Sequence, residues 1–507
     1  MTLKPSKSCI DDHSLSSFLL KQCYEPLLMP LLYVCNLSFQ QGIFPSKLKE
    51  SKIIPIFKKG DKKNVSNYRP ISITNVFGKV LEKLMHNRLI SYFNKFDLLY
   101  ECQFGFRKGF STSLAIIDVI NMIQNETYNK NFVMAIFMDL KKAFDTVNTN
   151  ILLFKLEHYG IRGIPLNWFK TYLIGRSQRT FVNGIFSNKL QSICGVPQGT
   201  VLGPLMFLVY INDIAKIVSN RRLKLFADDS NLFVVNNDLK ALYHVANDEL
   251  HKISCWLECN KLSVNYDKTN YMIFQPKGYN CDSSQTINSV VTLGKSVINR
   301  IHSTKYLGII IDDQLNFEEH LNFLVNKVNS VIGIICRNRY LLPLHCKKKI
   351  YFALIHSNLI YCIEVYANTS LTNLNKLIVK VNSLLRVLQN RPRRTHITEL
   401  YSCFDTLPVD LLFKFFTLKL VHKCMFVNTN VPVVIKNLFK VGTNLHSHNT
   451  RTSKNFILQN NINPESISFY APSLWNKLPV SLQTTQSCNI FTNQLKTQLL
   501  QQISCKS

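Results

Sequence analysis

The stretch LKLFADDSNLFVV, residues 223–235, decides which fold this chain can adopt, because it places two carboxylates between two apolar runs. Short apolar runs on either side of a turn predict two paired strands joined as a hairpin. Asp228 and Asp229 then lie at the tip of that hairpin. Far upstream, Asp139 ends another apolar run, NFVMAIFMD, which predicts a third strand. The sequence therefore predicts three aspartates at strand ends.

Two interpretations fit these aspartates when they are taken alone. Aspartate is common in turns, so an isolated Ala-Asp-Asp in a hairpin is most often only a turn. Three carboxylates at strand ends are also what a two-metal phosphoryl-transfer centre requires, because hard divalent cations prefer carboxylate oxygens. The other motifs of the chain decide between the two.

The composition predicts an ordered protein whose partner carries phosphates. Of the 507 residues, 46% are hydrophobic, which is enough for the cores of two to four structural units. The 60 Lys and Arg residues outnumber the 31 Asp and Glu residues, and the formal charge is +29. Such an excess suits nucleic acid, and it is also compatible with a membrane surface.

The sequence shows no features of a secretory signal or a membrane span. Its first residues are polar, and the longest apolar runs, 26–35 and 203–211, are shorter than the ~20 residues that cross a bilayer. The 15 cysteines lack the spacing of a zinc site, which favours free thiols in a reducing compartment. We therefore expect an intracellular protein, cytoplasmic or nuclear, that is neither secreted nor membrane-spanning.

Changes of pattern along the chain predict an α+β fold with a helical, basic C-terminal extension. A polar stretch after Pro276 is a candidate boundary. The expected regions are a helical and linker segment at 1–40, a mixed block of strands and helices at 41–312, a helical region at 313–400 and a basic C-terminal region at 401–507.

Seven motifs occur in an order and spacing that make chance similarity implausible. They are IFKKGD (56–61), NYRPIS (67–72), QFGFRKGFST (103–112), FMDLKKAFDTV (137–147), GVPQGTVLGPLMFLVYIND (195–213), LKLFADDS (223–230) and LSVNYDKTNYMIF (262–274). Together they resemble the reverse transcriptase of a non-LTR retrotransposon of the LINE or jockey-like kind. The tail resembles that family more weakly, through YLGIIIDDQLNFEEH and FYAPSLWNKLP.

This resemblance implies a right-hand polymerase with fingers, palm and thumb. Residues 41–312 would form the fingers and palm, and residues 313–400 the thumb. The implied activity is RNA-directed DNA polymerisation, in which a nucleotide passes from a dNTP to the 3′-hydroxyl of a DNA primer on an RNA template. The implied cofactors are two Mg²⁺ ions, for which Mn²⁺ is a possible substitute.

The resemblance also assigns the metal-binding residues. Asp139, Asp228 and Asp229 match the catalytic aspartates of the family, and the backbone carbonyl of Leu140 is a further candidate ligand. Because neighbouring residues of a strand face opposite ways, we expect Asp229 to contribute less directly than Asp228.

A basic hairpin at 47–69 matches the part of the fingers that grips the triphosphate. The pattern predicts a strand, SKIIPIF, a turn, KKGDKKN, and a return strand. Lys59 and Arg69 match the family residues that bind phosphate, which suits an arginine fork and a lysine point charge. Lys58 could take the place of Lys59, and a loop lysine is often merely solvated.

Three more residues match nucleotide-binding positions of the family. Phe144 lies where the family places the side chain that excludes a ribose 2′-hydroxyl; otherwise it is a core aromatic. Gln198 lies in the loop expected under the incoming nucleotide and template base, unless that loop is a plain Pro-Gly turn. Lys268 matches a lysine suspected of protonating pyrophosphate, although a single lysine at a strand edge is usually solvated.

Other interpretations remain open at the level of sequence. A non-catalytic nucleic-acid-binding relic of the same fold is the main rival, and a group II intron maturase is a third hypothesis. The acidic segment 311–320 is expected to form a turn and a helix start rather than a second metal site. We expect neither an endonuclease, for which too few residues precede the fingers motif, nor a ribonuclease H site in the tail.

Overall fold

The computed structural model describes residues 16–218, 222–276, 278–279, 290–427, 431–439, 456 and 462–504. Strands and helices alternate as far as Asp312, and helices dominate after it. This arrangement confirms the predicted α+β class with a helical C-terminal extension.

Fourteen strands are present in the described residues. They are β1 Glu50–Phe57, β2 Tyr68–Thr74, β3 Phe132–Met138, β4 Ser177–Val182, β5 Ile185–Phe186, β6 Leu190–Gln191, β7 Leu223–Phe226, β8 Asp229–Asn236, β9 Asn270–Phe274, β10 Thr292–Leu293, β11 Ser296–Val297, β12 Asn299–Arg300, β13 Ser303–Tyr306 and β14 Ile309–Asp312.

Nineteen α-helices lie in the same ranges, and a π-helical segment separates α10 from α11. They are α1 Ser17–Gln22, α2 Tyr24–Gln41, α3 Val76–Lys95, α4 Thr112–Tyr128, α5 Thr149–His158, α6 Gly163–Leu173, α7 Gly203–Ile211, α8 Leu239–Cys259, α9 Glu318–Arg337, α10 Leu344–Ile350, α11 Ser357–Leu359, α12 Ile363–Tyr366, α13 Leu371–Leu388, α14 Ile397–Phe404, α15 Val409–Phe426, α16 Val433–Lys436, α17 Ile467–Asn476, α18 Val480–Gln483 and α19 Cys488–Ser504.

The central sheet has the strand order β12-β9-β3-β8-β7, and its middle strand β3 pairs antiparallel with β8 and β9. Val133 and Ala135 belong to the hydrophobic core that contains α4, whereas Met134 and Ile136 belong to the core that contains α8. Both faces of β3 are therefore covered, which explains why its sequence is a continuous apolar run. The strand ends at the position where Asp139 begins the next loop.

The second sheet has the order β2-β1-β4-β5, with β6 also paired to β4. Its β1 and β2 pair antiparallel along their whole length, from Ser51 opposite Thr74 to Phe57 opposite Tyr68. The basic turn predicted in the sequence joins these two strands, so the predicted hairpin is confirmed.

Helix α4 connects the central sheet to the C-terminal helices. It packs against β3 on one side and against α12, α16 and α17 on the other. Asn121 and Asn125 of α4 accept hydrogen bonds from the N–H groups of Ser468 (3.1 Å) and Asn463 (3.2 Å). One hydrophobic core contains side chains of α4, α9, α13, α15 and α19. The regions on either side of the expected boundary at position 400 therefore share a core.

Two further sequence predictions concern a domain boundary and membrane-spanning segments. The candidate boundary after Pro276 falls mostly on residues 277 and 280–289, which lie outside the described residues. Among the helices in the described ranges, none combines the length and the hydrophobicity needed to cross a membrane.

Candidate active site

The turn between β7 and β8 contains only Ala227 and Asp228, because Phe226 pairs with Asp229. Ala227 has a φ of 57°, in the left-handed region that residues other than glycine rarely adopt. A conformation of this kind costs about 1–3 kcal/mol and persists only where the surrounding structure holds it. The turn that carries Asp228 and leads into Asp229 is therefore strained and needs support.

Residues 102–105 supply part of this support by running along the outer edge of β7. The N–H of Phe104 donates to the carbonyl of Leu225 at 2.8 Å, and the N–H of Leu225 donates to the carbonyl of Cys102 at 3.0 Å. These bonds fix the segment in a parallel arrangement beside the hairpin.

The side chain of Gln103 holds the strained turn directly. Its Oε1 accepts hydrogen bonds from the N–H groups of Ala227 (3.1 Å) and Gly105 (2.8 Å), and the residue is only 1% exposed. A Cβ on Gly105 would lie 2.3 Å from the nitrogen of Ala227, so only glycine fits there. In the sequence, Gln103 opens the motif QFGFRKGFST, which by itself indicates no role for it. The sequence feature related to this role is a glutamine two residues before a glycine, a pair that does not by itself indicate support of a distant turn.

The register of the sheet brings the three aspartates together. Met138 pairs with Ser230, so Asp139 follows β3 beside the start of β8. Burial raises the pKa of the Asp228 carboxyl, and the charge of Asp139 raises it further. Burial also raises the pKa of Asp229 to about 6, with further contributions from Asp228 and Asp139, although this side chain still reaches solvent. Asp139 is thus close enough to disfavour the charged forms of Asp228 and Asp229.

Asp139 is held by the segment that precedes β9. Its Oδ2 accepts hydrogen bonds from the Nζ of Lys268 (2.8 Å) and the Nδ2 of Asn265 (3.0 Å), and its backbone carbonyl accepts from the N–H of Asn265 (2.7 Å). Leu140 forms an antiparallel bridge with Val264. Lys268 thus forms an ion pair with Asp139. The sequence motif associates Lys268 only with the nucleotide.

Phe144 lies half-buried in the loop that follows Asp139. Its ring stacks on Phe207 of α7 with 4.8 Å between centroids, and the edge of Phe106 approaches it at 6.2 Å. Packing of this kind fixes the direction of the ring while one side of it remains accessible. Phe106 comes from the same segment as Gln103, and no sequence pattern indicates its contact with Phe144.

Gln198 and Asp145 line a cavity of about 450 Å³ beside the second sheet, whose β1, β2 and β4 also contribute to it. The Nε2 of Gln198 donates to Oδ1 of Asp145 at 2.9 Å, and the carbonyl of Gln198 accepts from the N–H of Ser72 at 2.7 Å. Burial raises the pKa of the Asp145 carboxyl. The buried Arg176 also lines this cavity. The Gln198 loop is therefore tied both to the basic hairpin and to the loop that contains Phe144.

The basic hairpin directs positive charge at the aspartates. The charges of Arg69 and Lys58 lower the pKa of Asp228 and so oppose the effect of burial, and Lys58 acts on Asp229 in the same way. Lys59 is exposed in the turn. Lys58 is exposed as well, and the choice between the two lysines stays a prediction; the effect of the Lys58 charge on the pKa of Asp228 and Asp229 favours Lys58.

The chemistry of these groups fits divalent cations that bind together with a phosphate substrate. Within the described part of the chain, no set of three or more His, Cys, Asp and Glu side chains is arranged to hold a metal ion by itself. Mg²⁺ is usually bound by one or two carboxylates, with water and substrate phosphates completing its shell. Asp139 raises the pKa of Asp228 and Asp229, which shows a concentration of negative charge that such an ion would neutralise. The donor set of Asp139, Asp228 and Asp229 is consistent with that mode.

The second acidic segment forms a turn and a helix start, as predicted. The carboxylate of Asp312 accepts hydrogen bonds from the N–H groups of Gln314 (3.1 Å), Asn316 (3.0 Å) and Phe317 (2.9 Å). Asp313 lies 2.7 Å from His302. These carboxylates hold the turn that leads from β14 into α9.

Comparison with known proteins gives a consistent result. A family model described as reverse transcriptase (RNA-dependent DNA polymerase) matches residues 57–311. The RNA-directed DNA polymerase from mobile element jockey of Drosophila melanogaster is 27% identical over 378 residues, which are 71% of this chain and 40% of that protein. The probable RNA-directed DNA polymerase from transposon BS of the same species is 26% identical over 392 residues, 74% of this chain and 42% of that protein.

The chain thus spans about two fifths of the length of these curated relatives. Among solved structures, telomerase from Candida albicans aligns with a TM-score of 0.41 at 13% identity, over 77% of this chain and 69% of that one. That likeness is too weak to carry an argument.

Proposed function

Because the chain belongs to the reverse transcriptase family, we propose that it is an RNA-directed DNA polymerase that transfers a nucleotide from a dNTP to the 3′-hydroxyl of a DNA primer. Its fold is then the right hand of that family, with the central sheet as palm and the basic hairpin as part of the fingers. The observation that carries the proposal is the convergence of Asp139, Asp228 and Asp229 where β3 ends and β8 begins, near the charges of Lys58 and Arg69.

The three aspartates, with the carbonyl of Leu140, are the groups that would hold divalent cations. Two Mg²⁺ ions, or Mn²⁺ in their place, would supply a lower pKa for the primer hydroxyl and neutralisation of the leaving pyrophosphate. The strained turn and its support by Gln103 fix where Asp228 and Asp229 lie relative to Asp139. The chain's own contribution is therefore positioning and electrostatics.

The nucleotide is assigned to the space between the basic hairpin and the palm. Arg69, with Lys58 or Lys59, would bind the triphosphate, and Gln198 would lie under the base. The accessible side of Phe144 would meet the sugar and exclude a 2′-hydroxyl. Lys268, now paired with Asp139, would exchange that carboxylate for a phosphate oxygen when the substrate is bound, and so could carry a proton to pyrophosphate.

The remaining assignments follow the expected regions. Residues 41–312 would contain fingers and palm, 313–400 the thumb, and 401–507 a basic extension that braces α4. The partners would be an RNA template, a DNA primer and dNTPs, in the cytoplasm or the nucleus. The charge of +29 supports a phosphate-rich partner.

Primer extension on an RNA template with purified protein and Mg²⁺ tests the proposal. Asp228→Asn keeps the shape of the side chain and removes a charge that the cations need, so extension should be abolished while binding of template and primer persists. The matched control is Asp248→Asn, an exposed carboxylate on α8 that pairs with His244. Wild-type extension by Asp228→Asn would contradict the assignment. A wild-type chain that binds template and primer but never extends would instead favour the non-catalytic relic.

A further inference from the structure

Helices α9 and α13 lie side by side and point in the same direction. Near their first turns, the Nζ of Lys376 pairs with Oε1 of Glu318 at 3.0 Å. Beyond their last turns, the Nε of Arg339 donates to Oδ1 of Asn390 at 2.9 Å. Both helices therefore end at the same place. Because α9 has 20 residues, this place lies about 30 Å from the turn after β14.

Asn390 joins two segments that are far apart in the sequence. Its Oδ1 accepts from Arg339 and also from the Nζ of the buried Lys347 (3.3 Å). Residues 337–349 and 390–394 consequently form one surface, which we call the basic tip. The two segments lie about 40 residues apart in the sequence, and only the fold brings them together.

The basic tip carries much more positive charge than two helix ends require. It contains eight Lys and Arg residues and no Asp or Glu, namely Arg337, Arg339, Lys347, Lys348, Lys349, Arg391, Arg393 and Arg394. One or two cations suffice to complement the partial negative charge at a helix C-terminus. Arg391, Arg393 and Arg394 are all exposed, so their charge faces outward.

An aromatic ring stands within this charged surface. Tyr340 is 87% exposed, and the guanidinium of Arg339 lies 5.8 Å from the centre of its ring. A large exposed ring beside outward-facing arginines is a platform on which an unpaired base can stack while phosphates meet the cations. Duplex bases are already stacked and cannot use the ring. An anionic membrane would need a broader apolar face than the exposed Tyr340, Leu341 and Leu344 provide.

We propose that the basic tip binds single-stranded RNA, with Tyr340 as the stacking residue and Arg391, Arg393 and Arg394 as phosphate contacts. Resting on the proposed function, this RNA is the template strand where it lies outside the polymerase cleft. The tip would hold a template about 30 Å from the start of α9 and so favour templates long enough to reach it.

Binding of fluorescent RNA in the absence of Mg²⁺ and dNTPs tests the proposal without requiring activity. The probes are an unstructured oligouridine of roughly 30 nucleotides, the DNA strand and DNA duplex of equal length, and phosphatidylserine vesicles. In the Asp228→Asn background, Tyr340→Ala should weaken RNA binding by about fivefold or more, the lower end for loss of one stacked base. Replacing Arg391, Arg393 and Arg394 with Gln should reduce the slope of log K against log salt by about 2.

Matched controls separate the tip from general charge and folding effects. Tyr33→Ala removes a tyrosine that is 68% exposed on α2, and Lys240, Lys261 and Lys295 changed together to Gln remove three exposed charges elsewhere. Both controls should bind RNA as the parent does, apart from a small general loss for the lysines. Unchanged RNA affinity in Tyr340→Ala and an unchanged salt slope in the arginine variant would overturn the proposal. So would equal losses for duplex DNA, or tip-dependent binding of vesicles alone. The binding assay needs no catalysis, so its result can be interpreted even if primer extension fails.

Discussion

Replacement of Gln103 by leucine should impair catalysis through the turn that carries Asp228. The change removes the acceptor of two buried N–H groups, those of Ala227 and Gly105. A buried donor left without an acceptor costs about 1–3 kcal/mol, so the two together cost about 2–6 kcal/mol. Leucine also removes the Nε2 of Gln103, a buried donor without a hydrogen-bond partner among the described residues, and this offsets about 1–3 kcal/mol. The net loss of stability should be about 1–3 kcal/mol.

The loss should fall mainly on the turn, because Ala227 then keeps a left-handed conformation without its hydrogen bond. If the turn relaxes in a large fraction of molecules, kcat for extension should fall roughly tenfold or more, since each 1.36 kcal/mol is a factor of ten. The KM for template and primer should change little. Denaturant unfolding measures the stability, and steady-state extension measures kcat and KM.

A second substitution distinguishes positioning from simple packing. Glycine adopts a positive φ without cost, so Ala227→Gly should reduce the penalty of Gln103→Leu when the two are combined. The control is Gln41→Leu, which changes an exposed glutamine at the end of α2. The reasoning is refuted if Gln103→Leu keeps wild-type stability and kcat, or if it loses stability while kcat is unchanged below the unfolding range.

Three further outcomes are expected. Phe144→Val should lower the ratio of kcat/KM for dNTP over rNTP by roughly tenfold or more, because the ring would no longer meet a 2′-hydroxyl; an unchanged ratio would make Phe144 a core residue. Lys58→Gln should raise the KM for dNTP more than Lys59→Gln does, because the charge of Lys58 lowers the pKa of both Asp228 and Asp229; the reverse order would contradict this. Burial raises the pKa of Glu364 to about 7, so the folded protein binds a proton that the unfolded chain has already lost, and stability should fall as pH rises from about 4.5 through about 7. Glu364→Gln should flatten that fall in denaturant midpoints, and an unchanged pH profile would show that another group causes it.

The sequence predicts the elements that depend on local pattern. The apolar runs before and after Ala227 and Asp228 form β7 and β8, and the run that ends at Asp139 forms β3. Segment 311–320 forms the expected turn because Asp312 bonds only to N–H groups within five residues of itself. Features of this kind are decided by neighbours in the chain, and the pattern of residue types contains them.

Contacts between distant residues are the part that the sequence could not predict. Gln103 acts on a residue 124 positions away, and nothing in its own segment indicates that partner. The choice between Lys58 and Lys59 depends on the path of the turn after β1, which the motif leaves open. The pairing of Lys268 with Asp139 requires the register between the segment before β9 and the end of β3. Each of these is fixed by tertiary packing rather than by residue type.

The support of the turn at Ala227 and Asp228 extends from β7 through α4 to the C-terminal helices. Lys224 of β7 pairs with Asp118 of α4 at 2.6 Å, and both side chains are only 6% exposed. Removing one partner of such a pair is strongly destabilising because it leaves a buried charge uncompensated. The same helix is held on its other side through Asn121 and Asn125. The C-terminal helices therefore act on the aspartates indirectly, since whatever moves α4 moves the strand that leads into Ala227.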